Sequence, residues 1–252
     1  MRLFELTFSP TGGTQKAADL LAAAWNVPAE TVNLLKPTFA EYLPHLEQTD
    51  LCLVAMPVYG GRIPAVAAQR LRQIQGNGAL AVPVAVYGNR AVDDALVEME
   101  DLLTANGFRI LAGVEAVAEH SLTREIAAGR PDTRDAAELL TFGQKIQEKA
   151  ERETWEQPML PGNRPYREFG GGAKPTADDR CTGCGTCVRE CPVGAIPADD
   201  PKTVNGALCA SCMRCIAVCP TGARHNDPNV LAAIEQKLRA VCPERNENRL
   251  YL

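Results

Sequence analysis

The sequence predicts an α/β protein with a five-stranded, doubly wound parallel sheet, followed by a small C-terminal α+β domain. Apolar strand-like segments alternate with helical segments through roughly the first 150 residues. One of these segments, residues 51–56, is apolar throughout, as is typical of a parallel strand covered on both faces. Eight of the ten cysteines then fall between Cys181 and Cys219, which indicates a second domain of different character.

Strands are predicted at 2–8, 30–34, 51–56, 82–87 and 108–118, and helices at 14–25, 64–75, 91–106 and 133–153. Pro83 has no N–H to donate, so we place it at the start of its strand, where this is tolerated. Five strands that alternate with helices imply a parallel sheet with helices on both faces.

The predicted domain boundaries follow changes in composition. Residues 1–155 form the α/β domain, and 156–179 form a linker or strap rich in Pro and Gly. Residues 180–225 form the cysteine-dense domain, and 226–252 form a C-terminal helix and a polar tail. Trp155, Tyr166 and Phe169 give the strap apolar anchors, so we expect it to pack against the protein.

Charge and hydropathy exclude several classes of function. The net charge is −5 and no stripe of Lys and Arg is visible, which argues against a nucleic-acid surface. No apolar run reaches the eighteen or so residues of a membrane span. Residues 1–10 lack the features of a signal peptide, so we expect a cytoplasmic protein. The oligomeric state is left open.

An internal repeat is the strongest signal in the chain. The pattern C-x2-C-x2-C-x3-C-P occurs twice, 28 residues apart, first as Cys181, Cys184, Cys187 and Cys191 before Pro192, then as Cys209, Cys212, Cys215 and Cys219 before Pro220. The repeat resembles the bacterial two-cluster ferredoxin family, and every ligand position is filled. Structural zinc is the alternative, although zinc sites rarely duplicate the x3-C-P ending. A [3Fe–4S] cluster usually accompanies a missing ligand, and none is missing.

The ferredoxin resemblance implies two [4Fe–4S] clusters with crossed ligation. Cys181, Cys184, Cys187 and Cys219 are assigned to one cluster, and Cys191, Cys209, Cys212 and Cys215 to the other. Each oxidised cluster with four thiolates carries about −2, so the loaded protein is clearly anionic. We therefore expect redox partner proteins with a basic docking patch.

The loop between the first strand and the first helix has the character of an anion site. It contains Ser9, Thr11, Gly12, Gly13 and Thr14, and a helix N-terminus favours a negative ligand. It has neither the Lys of a nucleotide-hydrolysing P-loop nor the G-x-G-x-x-G of a dinucleotide fold. The loop resembles the phosphate loop of the flavodoxin family, [ST]-x-T-G-x-T. A Ser/Thr helix cap without a ligand is the alternative.

Two further loops extend the flavodoxin resemblance, which implies bound FMN. They follow the third and fourth strands, at the edge where open α/β sheets bind ligands. The predicted ring-binding residues are Pro57, Val58, Tyr59, Gly60 and Gly61 in one loop, and Tyr87, Gly88, Asn89 and Arg90 in the other. Either tyrosine is placed to stack on the ring. Arg62 and Arg90 depart from the acidic surroundings usual in short-chain flavodoxins.

The order of domains resembles that of fused flavodoxin–ferredoxin proteins of anaerobes. We therefore predict an electron-transfer protein that couples two-electron and one-electron partners through FMN and two clusters. The alternative is an iron–sulfur flavoenzyme that reduces a quinone, nitro compound or enone, which Arg62 and Arg90 facing a cavity would favour. A redox sensor is a third hypothesis, but the sequence contains no recognisable DNA-binding element. The three histidines share no ligand spacing, and we expect each to be a surface or hydrogen-bonded residue.

Overall fold

The main sheet of the computed structural model, which describes residues 1–242 and 244–252, is parallel in its first five strands. The strands are β1 (Leu3–Thr7), β2 (Ala29–Asn33), β3 (Leu51–Pro57), β4 (Leu80–Tyr87) and a split fifth strand, β5 (Arg109–Ile110) and β6 (Gly113–Val117). Their order is β2-β1-β3-β4-β6, which is the 2-1-3-4-5 order of flavodoxin-like folds. The predicted fold class is confirmed.

Helices cover both faces of this sheet. On one face α1 (Gly13–Ala22) packs against α4 (Thr133–Ala150), and on the other lie α2 (Ala65–Leu71) and α3 (Ala95–Ala105). Each face has its own cluster of buried apolar side chains, with Leu21 in one and Leu71 in the other. A fully buried leucine contributes about 1.5–3 kcal/mol, so these clusters fix the strand ends that carry the loops. No helix in the described part of the chain is long and apolar enough to cross a membrane.

Pro83 lies in the middle of β4, paired with Val54 of β3, and not at the strand start as predicted. The carbonyls of Ala79, Ala81 and Tyr87 all accept hydrogen bonds from the β5/β6 side, so the odd-numbered residues of β4 face that side. The ring nitrogen of Pro83 therefore faces the break between β5 and β6. The missing N–H falls where the neighbouring strand is interrupted, and the sheet loses no hydrogen bond there.

The cysteine-rich segment repeats its local structure. A small antiparallel sheet joins β7 (Thr176–Ala177) to β8 (Arg224–His225), and the short helices α5 (Thr186–Arg189) and α6 (Arg214–Ala217) lie between them. The residues that precede these helices, Gly185 and Met213, have φ values of 70° and 61°. Both repeats thus make the same left-handed turn. A longer helix, α7 (Pro228–Val241), follows.

The C-terminal tail returns to the main sheet, which composition alone did not predict. Its strand β9 (Arg249–Tyr251) pairs antiparallel with β6. Pro243, in the predicted tail, lies outside the described residues. Asn248 accepts a hydrogen bond from the Val117 N–H at 2.8 Å and donates to the buried Asp135 at 3.0 Å. Asp135 also accepts from Arg130, at 2.9 and 2.5 Å. The cysteine-rich domain is thus connected to the α/β domain at both of its ends.

The strap packs on the α/β domain. One oxygen of the Asp94 carboxylate accepts from the Asn163 N–H at 2.9 Å, and the other accepts from the Arg167 N–H at 2.7 Å. Further along, Lys174 donates to the Cys209 carbonyl at 2.6 Å. Asp94 therefore holds the strap in place.

Candidate functional site

The loop after β1 turns sharply into α1. Gly12 has a φ of 94°, a conformation that a side chain would strain. The N-cap residue of α1 is Gly12, and the Ser9 Oγ accepts from the Gln15 N–H of the first helical turn at 2.9 Å. The first i→i−4 bond of the helix runs from the Lys16 N–H to the Gly12 carbonyl. The N–H groups of the preceding turn, which includes Thr14, have no intrahelical partner and suit an anionic ligand.

The loops after β1, β3, β4 and β6 surround a cavity of about 700 Å³, including its open mouth, which we call the loop cavity. Most of the predicted ligand-binding residues line it: Thr11, Gly13, Thr14, Pro57, Val58, Tyr59, Gly60, Tyr87 and Gly88. Others of that set are not part of the lining: Ser9, Gly12, Gly61, Asn89 and Arg90. The predicted loops therefore meet at one cavity, although five of the predicted residues do not line it.

The side chains of Asn89 and Arg90 bind other parts of the protein. Asn89 donates to the Glu244 carbonyl at 2.7 Å and accepts from the Asn246 N–H at 2.9 Å. Arg90 forms an ion pair with Asp93. These residues hold the C-terminal tail and the loop itself, instead of facing a ligand.

The two tyrosines also differ in role. The ring of Tyr87 is buried, and its hydroxyl donates to the Glu247 carbonyl of the tail at 3.3 Å. Tyr59 lines the loop cavity, and burial raises the pKa of its hydroxyl well above the usual value, followed by the charge of Cys212. Both tyrosines line the cavity, but Tyr59 is the less buried of the two and is therefore the better stacking candidate.

Sequence reasoning missed three parts of the cavity wall: residues 118–122 after β6, the strap residues Phe169, Gly171 and Gly172, and Ser211 of the cysteine-rich domain. A Cβ on Gly60 would lie 3.0 Å from the Phe169 ring, so the strap covers this loop closely. The aromatic anchors of the strap were a usable signal for Phe169. Nothing in the sequence indicated Ser211.

His120 forms one wall of the loop cavity. Its Nδ1 accepts from the N–H groups of Leu122 at 3.3 Å and Thr123 at 3.2 Å, so a neutral ring carries its proton on Nε2. A Cβ on Gly88 would lie 2.4 Å from this ring, so the close approach requires glycine. Burial, and next the charge of Arg90, lower the pKa of His120 to about 4. The ring is therefore neutral at pH 7.

The guanidinium of Arg62 also binds other parts of the protein. It forms a bidentate ion pair with Glu98, with both distances 2.7 Å, and donates to the Arg167 carbonyl at 2.7 Å. Its guanidinium also lies 4.6 Å from the centre of the Tyr166 ring. Arg62 therefore fastens the strap, and its charge is already compensated.

The eight repeat cysteines form two sets. Cys181, Cys184, Cys187 and Cys219 line one cavity, which we call the first cysteine cavity. Cys191, Cys209, Cys212 and Cys215 line another, the second cysteine cavity. Each contains about 330 Å³ of open space. Among the residues with described positions, no three His, Cys, Asp or Glu side chains converge on a single ion.

The two cavities differ in exposure. Cys184, in the first set, is exposed, whereas Cys212, in the second, is buried. Burial raises the pKa of Cys212 to about 12 and that of Cys215 to about 11. Burial therefore disfavours free thiolates in the second cavity.

Direct contacts join the cysteine-rich domain to the α/β domain. Arg70 of α2 donates to the Pro192 carbonyl at 2.7 Å, and Arg214 of α6 donates to the Pro10 carbonyl at 3.3 Å. Pro10 lies in the loop after β1 and lines the loop cavity. The second cysteine cavity is therefore next to the loop cavity.

Comparison with known proteins assigns the C-terminal segment. Residues 178–223 match the model of the 4Fe-4S dicluster domain. An uncharacterized protein of Methanocaldococcus jannaschii is 53% identical over 32 residues, which are 13% of this chain and 15% of that protein. The match thus spans only a small part of the length of that relative.

Solved structures resemble the N-terminal region at low identity. Rubredoxin:oxygen oxidoreductase from Desulfovibrio gigas has a TM-score of 0.42 and 15% identity, over 60% of this chain and 37% of that one. A flavodoxin from the Archaea has a TM-score of 0.39 and 13% identity, over 60% and 100%. Flavodoxin 2 from Bacillus cereus has 0.41 and 16%, over 59% and 99%. The strand order defines the fold: a flavodoxin-like domain precedes a segment of the 4Fe-4S dicluster type.

Proposed function

We propose that this protein is an electron-transfer iron–sulfur flavoprotein, with FMN in the loop cavity and a [4Fe–4S] cluster in each cysteine cavity. One relationship carries the proposal. Ser211 lines the loop cavity, and the next residue, Cys212, lines the second cysteine cavity. A flavin and a cluster in these places would be lined by two consecutive residues of the chain.

The loop cavity fits FMN. Its phosphate end has the hydroxyls of Thr11 and Thr14 and the free N–H groups of the first helical turn. Its other end has Tyr59 on one side and Phe169 of the strap nearby, which suits a planar ring. FMN exchanges one or two electrons, and a [4Fe–4S] cluster exchanges one.

The cysteine cavities fit two clusters with crossed ligation. The fourth cysteine of each repeat, Cys191 or Cys219, lines the cavity of the other repeat's first three cysteines. Four cysteines line each cavity, and among the described residues no three of their side chains converge on a single ion, which suits a cube of iron and sulfide better than one zinc ion.

The arrangement suggests an order along the path of electrons: loop cavity, second cysteine cavity, first cysteine cavity, partner protein. The first cavity opens at Cys184, which is exposed. Asp179 and Asp200, which are close in sequence to residues that line this cavity, are both at the surface. We therefore propose that a redox partner with a basic patch docks on this side.

The alternative, a flavoenzyme acting on a small substrate, depends on Arg62 and Arg90 facing a cavity over the flavin ring, and neither lines the loop cavity. Arg62 is paired with Glu98 and Arg90 with Asp93. Neither guanidinium is left for a substrate, so the electron carrier is the better-supported function.

The first test is composition. Protein purified without oxygen should contain about eight iron, eight sulfide and one FMN per chain. Zinc at about two per chain without sulfide would contradict the cluster assignment.

The second test is the rate of electron transfer within the chain. When a one-electron donor reduces the clusters, FMN should become reduced at a rate that does not depend on protein concentration. A rate proportional to concentration would show that the two cavities do not communicate within one molecule.

A further inference from the structure

Arg224, at the end of the second repeat, is a buried cation whose hydrogen-bond partners among the described residues are all backbone carbonyls. It is 2% exposed. Its terminal nitrogens donate to three backbone carbonyls, those of Pro175 at 2.6 Å and of Pro201 and Thr203 at 2.8 Å each. Carbonyl dipoles hold the guanidinium in place, but they leave its full charge uncompensated.

The remaining donor of Arg224 has no partner among the described residues. Its Nε is buried and makes no hydrogen bond. Arg224 also lines the first cysteine cavity, where its backbone N–H donates to the Sγ of Cys219. A buried N–H without a partner is rare in proteins, so this one calls for an acceptor that the described residues do not provide.

The internal repeat shows that this cation is not a general feature of the motif. Cys219, Pro220, Ala223 and Arg224 correspond in spacing to Cys191, Pro192, Ala195 and Ile196. Ile196 is 4% exposed and lines the second cysteine cavity. At equivalent positions, therefore, the first cavity has a buried cation and the second has an aliphatic side chain.

Another arginine lines the second cavity, but its charge is compensated. Arg214 forms an ion pair with Glu190 at 2.6 Å, and its side chain is 27% exposed. Water and a carboxylate both reduce its field, whereas Arg224 has neither.

We propose that Arg224 donates its Nε–H to the cluster in the first cysteine cavity and raises the reduction potential of that cluster above that of the second. Reduction adds one electron, taken from the donor, and therefore one negative charge. A buried cation and an added hydrogen bond both stabilise that charge. The inference rests on the proposed function and deepens it: an electron that reaches the two clusters settles on the one nearer the exposed face.

The test is a potentiometric titration of the intact loaded protein, followed by EPR. The variant Arg224→Gln is neutral and keeps amide donors for the nearby carbonyls. The equilibrium constant for reduction of the first cluster should fall by about tenfold, which is 59 mV for one electron. The charge of Arg224 also acts on Cys215 of the second set, but Arg224 lines the first cavity and not the second, so the second cluster should change less. Arg180→Gln is the matched control: Arg180 is exposed, paired with Asp178 and close to Cys219, so the same loss of charge should have little effect.

A second variant keeps the test decisive if Arg224→Gln does not assemble its clusters. Arg224→Lys keeps the charge but loses the Nε–H, and should give a potential between those of the wild type and a neutral variant. An Arg224 variant that contains about eight iron per chain and has unchanged potentials overturns the inference. A wild-type protein in which the first cluster is harder to reduce than the second also overturns it. Wild-type protein without clusters overturns the proposed function itself, which the iron content shows before any titration.

Discussion

Arg70 donates a hydrogen bond of 2.7 Å to the carbonyl of Pro192, which follows the last cysteine of the first repeat. The same guanidinium donates to the carbonyls of Leu34 at 2.6 Å and Leu35 at 2.8 Å. One buried side chain thus joins the end of β2, helix α2 and the cysteine-rich domain.

Replacing Arg70 by Met should loosen this junction. Three buried carbonyls lose a charged donor, so the free energy of unfolding should fall by roughly 2–4 kcal/mol. Electron transfer from the clusters to FMN within the chain should become slower. Urea unfolding and stopped-flow absorbance measure the two effects. Arg72→Met, at an exposed site just after α2, is the control, and equal effects of both variants would contradict the role of Arg70.

Replacing Cys219 by Ala should damage the cluster of Cys181, Cys184 and Cys187, because these four line one cavity. The affected cluster should lose at least one of its roughly four irons, while the other stays whole. Iron analysis and EPR measure this. Cys191→Ala should give the opposite result. If each variant instead damages the cluster of its own repeat, the ligation is not crossed.

Replacing Thr11 and Thr14 by Val should release the flavin. Methyl groups cannot donate to phosphate oxygens, and each charged hydrogen bond contributes roughly 1.5–3 kcal/mol. The Kd for FMN should rise at least a hundredfold, as measured by fluorescence titration of flavin-free protein. Thr141→Val, on the exposed side of α4, should leave the Kd unchanged. Unchanged binding in the double variant would show that the phosphate lies elsewhere.

His120 allows a structural role to be separated from a binding role. His120→Asn keeps an acceptor for the N–H groups of Leu122 and Thr123 but lacks the distant donor, and His120→Gln keeps a donor near the position of Nε2. If Nε2–H donates to the flavin, FMN affinity should fall about tenfold in the Asn variant and less in the Gln variant. The reverse order would mean that His120 only supports its loop.

The buried carboxyl group of Glu5 should make the stability of the protein depend on pH. It is 3% exposed, and burial, followed by the charge of Asp19, raises its pKa to about 7, against about 4.3 in the unfolded chain. Between these values the folded state binds more protons, so stability falls as the pH rises from about 4 to 7. Glu5→Gln should therefore stabilise the protein by roughly 1–3 kcal/mol at pH 8 and by much less at pH 5. Thermal unfolding measures this, with the exposed Glu30→Gln as control; equal gains at both pH values would exclude Glu5 as the cause.

Much of the α/β fold could be predicted because each strand carries its own apolar run and each helix its own boundary. Pro83 shows the limit. Pro83 is tolerated in a central strand because the neighbouring strand is interrupted at Leu111 and Ala112. Analysis of one sequence segment at a time cannot show that these two positions lie side by side. The same holds for β9, whose partner β6 lies far away in the chain.

The site was predictable where chemistry follows local spacing. The cysteine repeats and the loop after β1 are such cases. Ser211, Phe169 and His120 were missed because they reach the loop cavity through tertiary packing. Tyr87 and Asn89 matched a pattern by position, but the tail provides partners for both side chains, which sequence reasoning could not foresee.

The pairing of β9 with β6 has a consequence for how the chain is made. A ribosome synthesises the cysteine-rich domain before it releases β9, so the outer edge of β6 has no partner until both repeats have left the exit tunnel. Domains form in order from the N-terminus during synthesis, and an open strand edge is a site of aggregation. If the proposed clusters are needed to fold the cysteine-rich domain, iron supply should therefore affect how much of the flavodoxin-like domain accumulates in a cell, because β9 would then follow an unfolded domain and the edge of β6 would stay open for longer.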